Sequence, residues 1–311
     1  MRPEAEAAAG APRPGRLRVW LTALRPFAYT ASVLPVLLGA ALAARDGVAP
    51  AAGLFWTALA AVVCFHSAAN LWNDYSDFRS GVDREVVPTS GALVRGWLGA
   101  RTVRRSATAF LAAGAVCFAA LVRAGGLAIL VLGLAGILLG AAYSVPRVGL
   151  KYVGAGDPAI FLAFGVLPTV GAYVLFAGSF RPAVLLWSLP LACLATAILH
   201  ANNWRDAGRD RVRGSITTAV RLGAQRSARY YRALVLAPYA LVAVALYAAT
   251  RSAAPPAPGA ALAALSAPAA VRLAALCRNR PAAAPPVDLD ARTAGLHALF
   301  GALLTAGVWL F

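Results

Sequence analysis

The feature that most constrains this chain is the recurrence of long apolar runs that carry no charge. Residues 127–143, 158–180 and 182–204 each continue for 17 or more positions without a charged side chain. A helix needs about 20 such residues to cross a hydrocarbon core, where each backbone polar group must be satisfied inside its own segment. With 60% of its 311 residues hydrophobic, the chain is not a soluble domain; an all-α, polytopic membrane protein is expected. Nine spans can be placed, at about 20–44, 50–72, 105–123, 126–145, 158–178, 182–203, 233–250, 258–277 and 293–311. Residues 1–16, rich in Ala, Pro, Gly and Arg, are expected to be a disordered tail, and residues 17–311 a single transmembrane domain. A signal peptide does not fit, because the first apolar run is long and continues into the body of the protein.

The net charge of +17 invites a nucleic-acid reading, which its distribution rejects. With the N-terminus in the cytoplasm, 24 of the 29 basic residues fall in the tail and in the loops after spans two, four, six and eight. The opposite side takes four, Arg45, Arg123, Arg181 and Arg251, and Arg25 lies within span one. This is the positive-inside pattern of an integral protein of the plasma membrane, with lipid and not nucleic acid around it. Cys64, Cys117, Cys193 and Cys277 stand singly in apolar segments without metal-ligand spacing and read as packing residues.

Against this apolar background, two stretches concentrate polarity. The first, 70–83, contains Asn70, Asn73, Asp74, Asp77 and Asp83; the second, 202–210, contains Asn202, Asn203, Asp206 and Asp210. Five of the chain's 12 acidic residues lie there, which a solvated loop would not produce by chance. On a helix, Asn70, Asn73, Asp74 and Asp77 fall at i, i+3, i+4 and i+7 and share one face; Asn203, Asp206 and Asp210 obey the same rule. Each stretch closes an apolar span, so spans one to four and five to eight read as related halves, with span nine appended.

Carboxylates converging at C-terminal helix ends repel each other and the helix dipole alike, so a cation is required. A donor set of oxygens without a His or Cys cluster points to Mg²⁺, which keeps waters and binds phosphate oxygens. Arg79, Arg147, Lys151, Arg205 and Arg209 are placed to take the remaining phosphate charge. A diphosphate at the mouth of an apolar bundle implies a lipid diphosphate with its tail in the membrane. Lys151 is the only Lys beside 28 Arg. Its compact ammonium suits a direct ligand role, the alternative being a lipid-headgroup anchor. Asp157, ahead of Pro158, is either an N-cap for span five or a contact to the second substrate. Arg25 either faces a polar cavity or snorkels. His66 and His200 read as hydrogen-bonded core residues, with a proton-accepting role as the alternative. The segment 217–223 suggests a short amphipathic surface helix, and the loop 79–104 a cover over the cytoplasmic mouth.

Asn-Asp-x-x-Asp at 73–77 continued to Asp83, Tyr152 with Gly-x-Gly-Asp157, Asn-Asn-x-Arg-Asp206 and Val-Arg-Leu-Gly223 together resemble the UbiA superfamily of intramembrane prenyltransferases. The resemblance covers nearly the whole chain and is greatest to the 1,4-dihydroxy-2-naphthoate polyprenyltransferases of menaquinone biosynthesis. It implies two Mg²⁺ ions bridging Asn73, Asp74, Asp77 and Asp83 on one side and Asp206 and Asp210 on the other to a prenyl diphosphate. Ionisation then gives an allylic cation that an aromatic acid acceptor captures, with loss of its carboxylate in that branch. Catalytic roles are expected for Asp77, Asp206, Lys151 and Asp157. Substrate contacts are expected for Arg25, Asn70, Arg79, Tyr143, Arg147, Lys151, Tyr152, Asn203, Arg205 and Arg209. Two features depart from that branch: Ser215 replaces a usual basic residue, and the first span reads Arg-Pro-Phe-Ala-Tyr-Thr. Another aromatic or quinol acceptor is therefore the alternative. A lipid-diphosphate transporter would need charged residues on both membrane faces, and a CDP-alcohol transferase one compact Asp run; the sequence offers neither.

Overall fold

The computed structural model describes residues 14–79, 91–143, 145, 148–212, 214–251, 257–278 and 285–311. Among them every regular element is helical, in nine segments. We number these α1 (Arg16–Leu24), α2 (Pro26–Arg45), α3 (Ala52–Arg79), α4 (Ala100–Tyr143), α5 (Gly156–Ala177), α6 (Ala183–Val212), α7 (Thr218–Thr250), α8 (Pro258–Arg278) and α9 (Leu289–Leu310). All but α1 are long and apolar enough to cross a membrane. Most of the tail expected at 1–16 lies outside the described residues, and helix begins at Arg16.

A straight helix of 44 residues would extend about 66 Å, twice the hydrocarbon thickness. The chain avoids this at Gly126, whose φ of 63° and ψ of −150° are open to glycine and to few other residues. The two arms of α4 fold back on each other. A Cβ on Gly133 would lie 2.1 Å from the Phe118 ring, whereas 15 residues of straight helix would separate them by about 22 Å. The hairpin supplies the expected spans three and four, so the described residues offer nine candidate spans.

The central helices are α2, α6 and α9, the most buried of the set, while α4 is the most lipid-exposed. Lipid tails are as apolar as Leu, so helix association here depends on close approach of backbones at small residues. A Cβ on Gly165 of α5 would lie 2.3 Å from Ala192 Cα of α6, and one on Gly307 of α9 would lie 1.9 Å from the Gly259 carbonyl oxygen of α8. At the end of the bundle away from the acidic stretches, Arg181 Nη1 meets Asp46 Oδ1 at 2.5 Å, and the Tyr173 hydroxyl donates to Asp46 Oδ2 at 2.5 Å. The hydrogen bond to Asp46 holds the Arg181 guanidinium above its ordinary pKa. These contacts join the α2–α3 and α5–α6 connections and fix the angle between α2 and α5.

At the other end, α3 and α6 carry their polar final turns as continuous helix. The expected short helix appears as the first turn of α7. Thr217 caps it by accepting from Val220 N at 3.3 Å, and Gly223 (φ 70°, ψ 170°) breaks it from the spanning part. Of the loop expected to cover the mouth, 80–90 lies outside the described residues. Ala92 and Leu93 pack with Ala23, Leu71 and Val103, tying the rest to α1, α3 and α4.

Candidate active site

The first acidic stretch is organised by a break in the chain opposite it. Arg25 takes a left-handed backbone conformation (φ 53°, ψ 60°), unusual for a non-glycine residue, and separates α1 from α2. Two contacts from α3 hold it there. The Arg25 guanidinium pairs with Asp74, and Asn70 Nδ2 donates to the Leu24 carbonyl at 3.1 Å. Arg25 thus turns toward the acidic stretch, where it neutralises a carboxylate that is 6% exposed.

Lys151 reaches the same helix from the loop after α4. Its ammonium donates to Asn73 Oδ1 at 2.6 Å and to both carboxylate oxygens of Asp77, at 2.9 and 3.0 Å. The neighbouring Tyr152 hydroxyl donates to Asp77 Oδ1 at 3.0 Å, and the ammonium sits 4.8 Å from that ring's centroid. The ammonium is thus turned into the first acidic stretch. Backbone bonds fix the loop on both sides: Leu150 N donates to Ala142 O at 3.0 Å, and Ile216 N to Tyr152 O at 2.9 Å. Ser215 N donates to Asp210 O at 2.9 Å, so the Lys151 loop is a bridge from the first acidic stretch to the second. The Tyr143 phenol at its root is near enough to Asp77, Asp157 and Asp210 to feel all three charges.

In the second stretch Arg205 is the hub. It donates to Asp206, to the Asn202 side chain and, at 2.8 Å, to Asp290 Oδ2 in the first turn of α9. Arg209 also pairs with Asp206. Asp290, 5% exposed, was not among the expected residues. Its sequence signal was weak, being one of two Asp in an otherwise basic connection. Asp157 is no N-cap: Ala155 holds that position without a side-chain bond. Its carboxylate instead meets His200 Nδ1 at 3.0 Å, both side chains being buried, which bears out His200 as a hydrogen-bonded core residue. Arg79 is exposed at the end of α3, and Asn203 makes no side-chain hydrogen bond among the described residues. Asp83 and Arg147 lie outside the described residues.

Among the described residues no three His, Cys, Asp or Glu side chains form a ready metal set. Asp74, Asp77 and Asp206 are each paired with Arg or Lys. The first stretch nonetheless brings three oxygens, Asn73 Oδ1 and both of Asp77, to within 3.0 Å of one positive centre, the Lys151 ammonium. All its donors are hard oxygens, so the residues present fit Mg²⁺.

A family description, "UbiA prenyltransferase family", matches residues 32–287. UbiA prenyltransferase domain-containing protein 1 of Mus musculus is 35% identical over 227 residues, 72% of this chain and 67% of that protein. The fold is shared with a UbiA homolog from Archaeoglobus fulgidus, solved bound to GPP and Mg2+. The TM-score is 0.64 at 19% identity, over 93% of this chain and 99% of that one. The apo UbiA homolog from Aeropyrum pernix gives a TM-score of 0.68 at 20% identity, over 90% of this chain and 96% of the other. By its membrane fold, its paired acidic helix ends and these likenesses, the chain belongs to the UbiA prenyltransferase family.

Proposed function

We propose that this protein transfers a prenyl group from a prenyl diphosphate to an aromatic acceptor within the membrane, with Mg²⁺ as cofactor. The acceptor we favour is 1,4-dihydroxy-2-naphthoate, losing its carboxylate as the prenyl group arrives, a step of menaquinone formation. The reaction would take place at the cytoplasmic side of the plasma membrane, where the basic loops gather. The observation that carries the reading is the convergence of Asn73 and Asp77 oxygens on the Lys151 ammonium at the mouth of an apolar bundle.

Asn73, Asp74 and Asp77 on α3, with Asp206 and Asp210 on α6, would hold the metal, which supplies Lewis acidity to the departing diphosphate. The remaining work falls to the chain's own residues. Lys151 is placed to exchange its carboxylate partner for a phosphate oxygen as the leaving group gains charge. Arg205 and Arg209 orient Asp206, while Arg25 holds Asp74 and fixes the mouth between α1 and α3. The apolar walls keep water from a reactive allylic carbon.

The test is an acceptor screen with washed membranes, Mg²⁺ and geranylgeranyl diphosphate, read by product mass. A product equal to the prenylated, decarboxylated naphthoate is expected. Turnover of the diphosphate with no ring-prenylated product from any aromatic acceptor would refute the reading.

A further inference from the structure

The polar face of α3 does not stop at the acidic stretch. Asp74, Asn70 and Ser67 succeed one another at intervals of four and three residues, and His66 adjoins Ser67. His66 lies about 12 Å along the helix from Asp74, away from the cytoplasmic mouth. A diphosphate and one aromatic ring together fill such a distance.

Several polar and aromatic side chains meet at this depth. Ser32 Oγ lies 2.5 Å from His66 Nδ1, and the Tyr29 hydroxyl lies 2.7 Å from Ser67 Oγ. Ser67 in turn donates to the Val63 carbonyl at 2.7 Å. The His66 ring meets Tyr29 and Phe164 edge-on, with centroids 5.3 and 5.0 Å away. Phe164 belongs to Leu162–Val166, where α5 widens into a π-turn, a distortion frequent at functional sites. His66 is 7% exposed, and its Nε2 makes no hydrogen bond among the described residues. Polar groups at this depth cost free energy, and a prenyl tail, being hydrocarbon, requires none of them.

We propose that Tyr29, Ser32, His66, Ser67 and Phe164 form the pocket that selects the aromatic acceptor by an oxygen substituent on its ring. The Ser32 hydroxyl donates into His66 Nδ1, which leaves the proton on Nε2 as a donor to that oxygen. The Tyr29 and Phe164 rings border the acceptor's plane. The inference rests on the transfer to an aromatic ring proposed above, and it assigns which residues distinguish one ring from another.

The test compares binding of 1-hydroxy-2-naphthoate with that of 2-naphthoate, which lacks the hydroxyl, in lipid nanodiscs. Wild type is expected to prefer the hydroxylated ring. In His66→Leu that preference should fall about 10- to 100-fold, the usual worth of one buried hydrogen bond to such a group. Affinity for geranylgeranyl diphosphate should stay within about twofold, and His66→Gln, which keeps a donor, should recover part of the preference. Ser32→Ala, the milder change, removes the hydroxyl that holds the proton on Nε2 and carries the same comparison if His66→Leu does not fold. Equal binding of the two rings by wild type, or a preference unchanged in the variants, overturns the pocket. So does a parallel loss of diphosphate affinity. An acceptor screen without ring-prenylated product, beside an intact difference in binding, would refute the transfer reading while leaving the pocket standing.

Discussion

Lys151→Met would remove the ammonium that joins the Lys151 loop to the first acidic stretch. The two charges lie 2.9 Å apart, on side chains 13% and 12% exposed. At an effective dielectric of about 20, a pair at that separation attracts by about 6 kcal/mol before dehydration is counted. Dehydration of both groups takes back roughly half, so a net coupling of about 2–3 kcal/mol is expected. Lys151→Met alone should destabilise the protein by about 3 kcal/mol, because a carboxylate then stays in a poorly hydrated place without its lysine. The Tyr152 hydroxyl, 3.0 Å from Asp77, keeps the loss from being larger. Asp77→Asn alone should cost about 2 kcal/mol, and the double variant about 2–3 kcal/mol, well under the sum. Equilibrium unfolding of the purified protein in one defined lipid–detergent mixture measures the cycle. Additivity of the single variants to within about 0.5 kcal/mol would show that the contact carries no coupling and refute the reasoning.

Asp77→Asn and Asp206→Asn should each reduce prenyl transfer to near background, as should EDTA; wild-type turnover under any of these conditions would remove the carboxylates from the chemistry. Lys151→Arg keeps the charge but replaces a point donor with a planar fork, and should lower kcat/KM about 10²-fold; kinetics equal to wild type would make Lys151 a bystander. In intact cells, Ser179→Cys should react with an impermeant thiol reagent and Thr102→Cys should not, and the reverse pattern would invert the topology. Gly307→Ala should destabilise by at least about 1–3 kcal/mol, since the added carbon meets the Gly259 backbone, and an unchanged unfolding midpoint would contradict the packing of α8 on α9.

The spans were legible because their signal is local: a run of uncharged residues of the right length is its own evidence. The shared face of Asn70, Asn73, Asp74 and Asp77 was legible for the same reason, through helical spacing. What the sequence withheld is pairing across distance. Arg25 finds Asp74 across 49 residues, His200 finds Asp157 across 43, and neither pairing leaves a periodic trace. Asp157 ahead of a proline has every local mark of a helix cap, but a buried imidazole is the better partner in an apolar bundle. Asp288 and Asp290 look alike in the sequence. The turn of α9 sends one to Arg205 and the other to Arg292 at the surface.

The link between Arg205 and Asp290 also bears on synthesis. The two residues are 85 positions apart, and Asp290 belongs to the last helix described. A growing chain therefore inserts α6, with its Arg205 and Asp206, long before the second carboxylate that pairs with Arg205 has left the ribosome. The second half of the site reaches its final charge only when α9 enters the bundle and its first turn comes to rest beside α6. A chain cut short ahead of α9 would retain both acidic stretches and Lys151 and still carry a guanidinium that lacks its Asp290 counter-charge. The charge arrangement of the second stretch is therefore finished by a helix outside it, the one that carries Asp290.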